Sequence, residues 1–197
     1  MSTPAPPGLF TAWRRFPWNP EAAENQPFSA AFVPSTQGLG RFDLPGNATG
    51  VLYLAETPEH AVGEWLARFR REGVAPADLL RWGYAQALVR ITFSVAPDRI
   101  ADLCDAHLLA TFGFAPDLLA VRDRTVTQPV AARLYAEGYV GLRWWSAFGG
   151  EWHTLVLFRD GLEQGHLRFE TPEALRLDHP ALATAAEWLE VPIHAQG

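Results

Sequence analysis

The distribution of apolar residues along the chain predicts six strands. Short apolar or alternating runs cover residues 9–16, 51–55, 86–93, 139–145, 154–158 and 167–169. Alternation with a period of two places one face of a strand in the core, and a short continuous apolar run is typical of a buried strand. Pro17 is expected to end the first strand, because proline cannot donate a ladder hydrogen bond.

Helical signals occur in three segments, and the strongest covers residues 57–71. Thr57 is placed to cap this helix, Pro58 suits its first position, and His60 takes the third position, where a capping box has Glu. Further helices are predicted over residues 125–137 and 180–189. The predicted strands and helices do not alternate regularly along the chain, which favours an α+β class with antiparallel or mixed sheets.

Length and composition favour one folded domain. The chain has 197 residues, of which 48% are hydrophobic and 19% charged, which is enough apolar material for a sizeable core. Residues 1–8 predict a flexible tail and not a signal peptide, and residues 17–50 predict a long irregular segment. No apolar run approaches the length of a membrane span, so a soluble cytoplasmic protein is expected.

Charge and histidine spacing argue against several classes of function. The net charge is −6 and no basic stripe is visible, so direct binding of nucleic acid is not expected. All sixteen basic residues are Arg, whose planar guanidinium suits phosphate groups. The chain has one cysteine, and its six histidines show no ligand spacing, so no metal site is expected.

Residues that suit chemistry occur at three places, and each also has an ordinary structural explanation. Arg41 follows two glycines in the segment 38–46 and is suited to clamping a pyrophosphate, although such arginines usually belong to simple loops. Glu64 lies off the apolar face of its helix, where an ion pair with Arg68 on a solvated surface is the ordinary interpretation. Ser146 follows a strand without a nucleophile elbow, as turn residues often do.

The order of these segments resembles the RES domain, a family named for its Arg, Glu and Ser. Members typically have an early Arg, a GRWN-like loop, a segment with Tyr and Glu at fixed spacing, and a strand ending in Ser before an apolar strand ending in Phe. The matching motifs here are WRRF at residues 13–16, GRFDLPG at 40–46, GVLYLAETPEHAVGEW at 50–65, EGYVGLRWWS at 137–146 and TLVLF at 154–158. The resemblance covers roughly residues 10–160.

This resemblance implies a set of site residues. The residues matched to catalysis are Arg41, Tyr53, Glu64 and Ser146. Binding of NAD would also use Gly40 and an early arginine, either Arg14 or Arg15, with Arg15 preferred. In this interpretation Glu64 stabilises the oxocarbenium-like ribose formed as nicotinamide leaves, and the arginines hold the pyrophosphate.

The family also implies a fold and partners. The expected fold is related to the ADP-ribosyltransferases, with two small packed mixed or antiparallel β-sheets surrounded by helices. Residues 9–160 would form the NAD-binding catalytic domain, and residues 161–197 a C-terminal extension packed on it. NAD is the expected substrate, with no further cofactor. An Xre-type antitoxin would cover the active-site cleft, which makes a hetero-oligomer the expected assembly.

At two places the chain departs from the family pattern. Asp43 replaces the Asn of the GRWN-like loop, and His153 or Thr154 stands where an Asn often precedes the last apolar strand. A carboxylate beside a phosphate site repels the substrate unless it faces an arginine. Three functions stay open: an NAD glycohydrolase or phosphorylase, an ADP-ribosyltransferase that modifies a protein, and an inactive RES-like binding module.

Overall fold

The computed structural model describes residues 8–24, 26–34, 36–121, 123–162 and 167–195, with Asn47 described by its backbone alone. The expected flexible tail, apart from Gly8, lies outside these ranges. The strands are β1 (Gly8–Trp18), β2 (Val51–Ala55), β3 (Leu80–Arg81), β4 (Tyr84–Val95), β5 (Ile100–Asp102), β6 (Gly141–Ser146), β7 (Gly149–Phe158), β8 (Leu167–Phe169) and β9 (Glu173–Ala174). The α-helices are α1 (Pro58–Leu66), α2 (Ala106–Phe112), α3 (Pro116–Ala120), α4 (Arg124–Ala136) and α5 (Pro180–Leu189).

These strands form one mixed sheet in two unequal halves. Its order is β3-β4-β1-β2-β7-β6-β5, and β8 and β9 also pair with β4. All pairs are antiparallel except β5 with β6. β1 pairs with β4 along its whole length, but with β2 only at Trp13 and Ala55. The expected α+β class is confirmed, and the two expected sheets are halves joined at this single pair.

Apolar residues of α1 pack against α5 over one part of the sheet. The buried residues at this contact are Ala61, Val62, Trp65 and Leu66 of α1, and Leu182, Ala185, Ala186 and Leu189 of α5. The apolar residues from Leu175 to Val191 thus share a core with α1, whereas Leu162, Leu167 and Phe169 pack in a second core with residues of β1 and β4. The strands β8 and β9 extend the sheet at β4. None of the helices in the described ranges has both the length and the apolar character needed to cross a membrane.

Several sequence predictions differ from the structure at their boundaries. β1 continues through Pro17 to Trp18, because β2 no longer pairs with β1 there and no ladder bond is needed on that side. The first helix ends at Leu66, and the chain tightens into a 3-10 turn over Ala67–Phe69. The helices α2 and α3 were not predicted, because each has too few turns to show a helical period.

Gly63 lets α1 approach β7 closely, and we expect Gly63→Ala to destabilise the fold. A Cβ at this position would lie 2.5 Å from two ring atoms of Trp152, which is itself stacked between His60 and Trp188. Overpacking typically costs about 1–3 kcal/mol, which exceeds the gain of up to about 1 kcal/mol in helix propensity. Urea unfolding should report a net loss, whereas Gly150→Ala, with no atom within 4 Å of its Cβ, should be neutral. Equal stability of the two variants would contradict this packing.

Candidate functional site

Two neighbouring cavities meet at Glu64. The first, which we call the Trp145 cavity, has a volume of about 390 Å³ and lies between the loop 39–42 and the end of β6. The second, the Arg15 cavity, has a volume of about 330 Å³ and lies where β1 and β2 separate beneath α1. Tyr53, Glu64 and Thr154 line both. Each volume lies in the range of small-molecule sites, which is about 300–1,000 Å³.

The Glu64 carboxylate is held by two hydrogen bonds from opposite sides. Its Oε1 accepts one from Ser146 Oγ at 3.1 Å and lies 3.2 Å from His60 Nε2, one turn earlier on α1. The side chain is 46% exposed, because its remaining surface faces the two cavities. The predicted ion pair with Arg68 is therefore wrong. Arg68 instead lies over the rings of Trp65 and Phe69, at 5.4 and 4.6 Å.

Its surroundings keep Glu64 ionised at neutral pH. Partial desolvation raises the pKa of this carboxyl group, but the hydrogen bond and charge of His60, the Ser146 hydroxyl and the charge of Arg41 together lower it more. The net pKa lies below its ordinary value. A negative charge thus stands permanently at the point where the two cavities meet.

His60 is the site residue that sequence reasoning missed. It was predicted only as a capping position, and its backbone N–H does donate to Thr57 Oγ1 at 3.2 Å. The ring is 1% exposed and stacks on Trp152 at 5.3 Å, which fixes Nε2 towards Glu64. The spacing of four residues between His60 and Glu64 was the signal available in the sequence.

Asp43 anchors the loop of residues 38–43, called here the glycine loop, and does not line either cavity. This side chain is 3% exposed, and its Oδ2 accepts hydrogen bonds from the backbone N–H groups of Gly38 and Gly40 at 2.7 and 2.8 Å. The Tyr53 hydroxyl donates to Asp43 Oδ1 at 2.8 Å and accepts from Phe42 N at 2.9 Å. Burial and Asp43 raise the pKa of Tyr53, so the phenol stays neutral. The sequence-based concern that Asp43 would repel a phosphate is therefore not supported.

Gly40 and the helix α4 complete the support of this loop. A Cβ on Gly40 would lie 2.3 Å from the Tyr53 hydroxyl and 2.4 Å from Asp43 Oδ1, so only glycine fits. Gln128 of α4 donates to the carbonyl groups of Gly38 and Gly40 at 3.1 and 3.0 Å. Arg41 lines the Trp145 cavity and donates to the carbonyl oxygen of Leu119.

The two early arginines have different surroundings. Arg14 donates to the carbonyl oxygens of Ala30 and Phe32, so its guanidinium holds the irregular segment after β1. Arg15 donates to the side-chain oxygen of Gln86 and lies 5.7 Å from the Trp65 ring. Burial, followed by neighbouring arginines, lowers the pKa of Arg15 to about 10, so it stays charged at neutral pH. Both line the Arg15 cavity, and the preference for Arg15 as an anion ligand stays a prediction.

His153 and Thr154 occupy the place where the family pattern suggests an Asn before the last apolar strand. Of these two residues, only Thr154 lines the cavities. His153 points to a separate polar cluster, with Nδ1 3.2 Å from Glu56, which in turn binds Arg143. Within the described part of the chain, no three His, Cys, Asp or Glu side chains are grouped to hold a metal ion.

Removing the Asp43 carboxylate should loosen the glycine loop. We expect Asp43→Ala to lower the free energy of unfolding by about 1–3 kcal/mol, because the N–H groups of Gly38 and Gly40 and the Tyr53 hydroxyl lose a buried, charged acceptor. Asp43→Asn should cost less, since its amide oxygen can accept from both backbone N–H groups while its NH₂ faces the Tyr53 oxygen. Denaturant unfolding of both variants compares them, and equal losses would show that charge, not hydrogen bonding, matters at this position.

Known proteins similar to this chain point to one family. The model of the RES domain matches residues 11–179, which extends past the predicted domain boundary at residue 160. Among solved structures, a chain of the M. tuberculosis MbcT–MbcA toxin–antitoxin complex has a similar fold, with a TM-score of 0.59 and 17% sequence identity. The alignment covers 95% of this chain and 93% of that chain. A search of curated proteins finds no match.

The family model spans most of the chain. Arg41, Glu64 and Ser146, the residues to which the sequence resemblance points, all line the Trp145 cavity. The related structure supports the same fold over nearly the whole length of both chains. This chain belongs to the RES-domain family.

Proposed function

We propose that this protein is the toxin of a toxin–antitoxin pair and that it degrades NAD by cleaving the bond between nicotinamide and ribose. The observation that carries this proposal is the ionised Glu64 carboxylate at the junction of two ligand-sized cavities, held by Ser146 and His60. Membership of the RES family and the likeness to a toxin–antitoxin complex support the biological setting.

The proposed reaction breaks the glycosidic bond between the nicotinamide nitrogen and C1 of its ribose. Nicotinamide leaves with the bonding electron pair, which neutralises its positively charged ring, and the ribose develops oxocarbenium character. The Glu64 carboxylate stabilises this charge as it forms. Water then gives ADP-ribose and a proton, whereas phosphate gives ADP-ribose 1″-phosphate.

The remaining site residues bind and orient NAD in this proposal. The Trp145 cavity, lined by Tyr53, Trp144, Trp145 and Phe148, suits the flat nicotinamide ring. Ser146 orients the leaving group or a ribose hydroxyl, and Arg41 and Arg15 attract the pyrophosphate. No cofactor is needed, because NAD is itself the substrate.

An antitoxin that covers the cleft is part of the same proposal. Leu39 and Trp145 both line the Trp145 cavity, and they are 88% and 37% exposed. Apolar side chains at the rim of a cleft favour contact with another protein. We propose an Xre-type antitoxin in a hetero-oligomer, with the toxin acting in the cytoplasm on the cellular NAD pool.

Purified protein should consume NAD, and Glu64→Gln should abolish most of this activity. Loss of a group that stabilises transition-state charge typically lowers kcat by about 100- to 1,000-fold. Glu59→Gln on the same helix α1 is the matched control, because Glu59 lines neither cavity and should leave the rate unchanged. Chromatography of nicotinamide and of the ribose product, with and without phosphate, measures the reaction and identifies the acceptor.

Equal activity of Glu64→Gln and the unmodified protein would contradict the role of Glu64. No NAD loss from folded protein in either buffer would contradict the NAD-degrading function. That outcome would favour the two other functions, an ADP-ribosyltransferase that requires its protein target or an inactive binding module.

His60 positions Glu64, and its removal should shift the acid limb of the pH profile upwards. The His60 hydrogen bond is the largest influence that lowers the pKa of Glu64, while burial raises it. His60→Phe keeps an aromatic ring against Trp152 but has no donor, so Glu64 should protonate at higher pH. The acid limb of the activity profile should therefore lie at higher pH in His60→Phe than in the unmodified protein.

His60→Gln, which restores an N–H donor, is the matched variant and should bring the pH profile back towards that of the unmodified protein. If His60→Phe lowered kcat without moving the acid limb, His60 would only support the fold.

A further inference from the structure

A third cavity adjoins the Arg15 cavity on the side away from Glu64. It has a volume of about 400 Å³ and is called here the Trp82 cavity. Aromatic rings form much of its wall, and two guanidinium groups stand at its edge: Phe16, Phe28, Phe32, Trp82, Arg14 and Arg81. Arg14 and Pro34 also line the Arg15 cavity, and Tyr53, Glu64 and Thr154 join that cavity to the Trp145 cavity. The three cavities thus form a row in which each cavity shares wall residues with the next.

Two aromatic residues of the Trp82 cavity have strained backbones. Phe28 and Trp82 have φ values of 71° and 54°, in the left-handed region that bulky side chains rarely adopt. Their rings lie 5.7 Å apart, and the Arg81 guanidinium lies 4.1 Å from the Trp82 ring. Trp82 is 68% exposed, so core packing does not account for its position. Trp82 and Gly83, with φ 54° and 83°, form the two-residue turn between β3 and β4, where both positions require a positive φ. This turn holds the exposed Trp82 ring over the cavity opposite Phe28.

We propose that the Trp82 cavity binds the adenine base of NAD, an inference that rests on the proposed function. With the nicotinamide ribose at Glu64, the pyrophosphate and the adenosine must extend out of the Trp145 cavity. The Arg15 cavity supplies cationic groups for the pyrophosphate, and the next cavity supplies aromatic rings on which a purine stacks. Arg81 on the Trp82 ring extends this stack with a planar cation.

The charge and shape of the three cavities match the parts of NAD in order. Aromatic walls hold the nicotinamide, arginines attract the two phosphates, and aromatic walls hold the adenine. A substrate without the adenylate half, nicotinamide mononucleotide, carries the same scissile bond but does not reach the Trp82 cavity. The two substrates therefore separate binding in the Trp82 cavity from the chemistry at Glu64.

The test compares NAD with nicotinamide mononucleotide in Trp82→Asn. Asn tolerates the left-handed backbone of this turn, so the variant should fold. We expect its KM for NAD to rise about 5- to 100-fold, the range of base–aromatic stacking, with little change in kcat. Its kinetics on nicotinamide mononucleotide should stay the same. Leu80→Asn is the matched control, because Leu80 lies in the same hairpin, is 57% exposed and does not line the cavity.

Unchanged NAD kinetics in Trp82→Asn, or equal losses on both substrates, would overturn the inference and leave the proposed function intact. If the unmodified protein cleaves neither substrate, the proposed function fails, and calorimetric titration with AMP tests the Trp82 cavity by itself. AMP binding that Trp82→Asn abolishes and Leu80→Asn keeps would support an adenine site, and the absence of AMP binding would overturn it.

Discussion

The carboxylate of Glu64 accepts hydrogen bonds from His60 on its own helix and from Ser146 at the end of β6, and the cleft is built around this connection. His60 is buried against Trp152 of β7, so the orientation of Glu64 depends on how α1 packs on the sheet. Close packing of Gly63 against Trp152 sets how near α1 lies to the sheet, and the bond from Ser146 is the one that crosses to α1 from β6. A charge held in this way needs no reorganisation when positive charge develops on a bound sugar.

The sheet provides the space into which this carboxylate projects. Since β1 and β2 share a single residue pair, the two halves of the sheet separate, and the Arg15 cavity lies where they do so. On the opposite side of Glu64, the glycine loop closes the Trp145 cavity. This loop has little secondary structure of its own. It is held by Asp43 within the loop, by Tyr53 from β2 and by Gln128 from α4.

Asp43, which stands where the family pattern suggests Asn, has a structural role in this loop. Within the described residues, Asp43 accepts hydrogen bonds from two backbone N–H groups and from the Tyr53 hydroxyl, and Asp43 itself does not line either cavity. Its negative charge is therefore balanced by donors, and Arg41 is left at the cavity wall. A substitution that looked unfavourable for binding an anion thus supports the wall of the cleft.

The sequence by itself determined the α+β class, most strands and the helices α1, α4 and α5, because periodicity and caps are local properties. The order of its motifs also identified several residues of the cleft as candidates. It did not determine which polar groups meet. From the residues alone, His60 is predicted only as a capping position and Glu64 as one half of a surface ion pair, and the catalytic assignment of Glu64 comes from the family resemblance. Asp43 is expected to repel a phosphate unless it faces an arginine. In the structure, Glu64 also accepts from Ser146 on β6 and Asp43 also accepts from Tyr53 on β2, besides their partners within α1 and within the glycine loop. Only tertiary packing decides such contacts, because a buried polar group takes the partner that the surrounding fold places within reach.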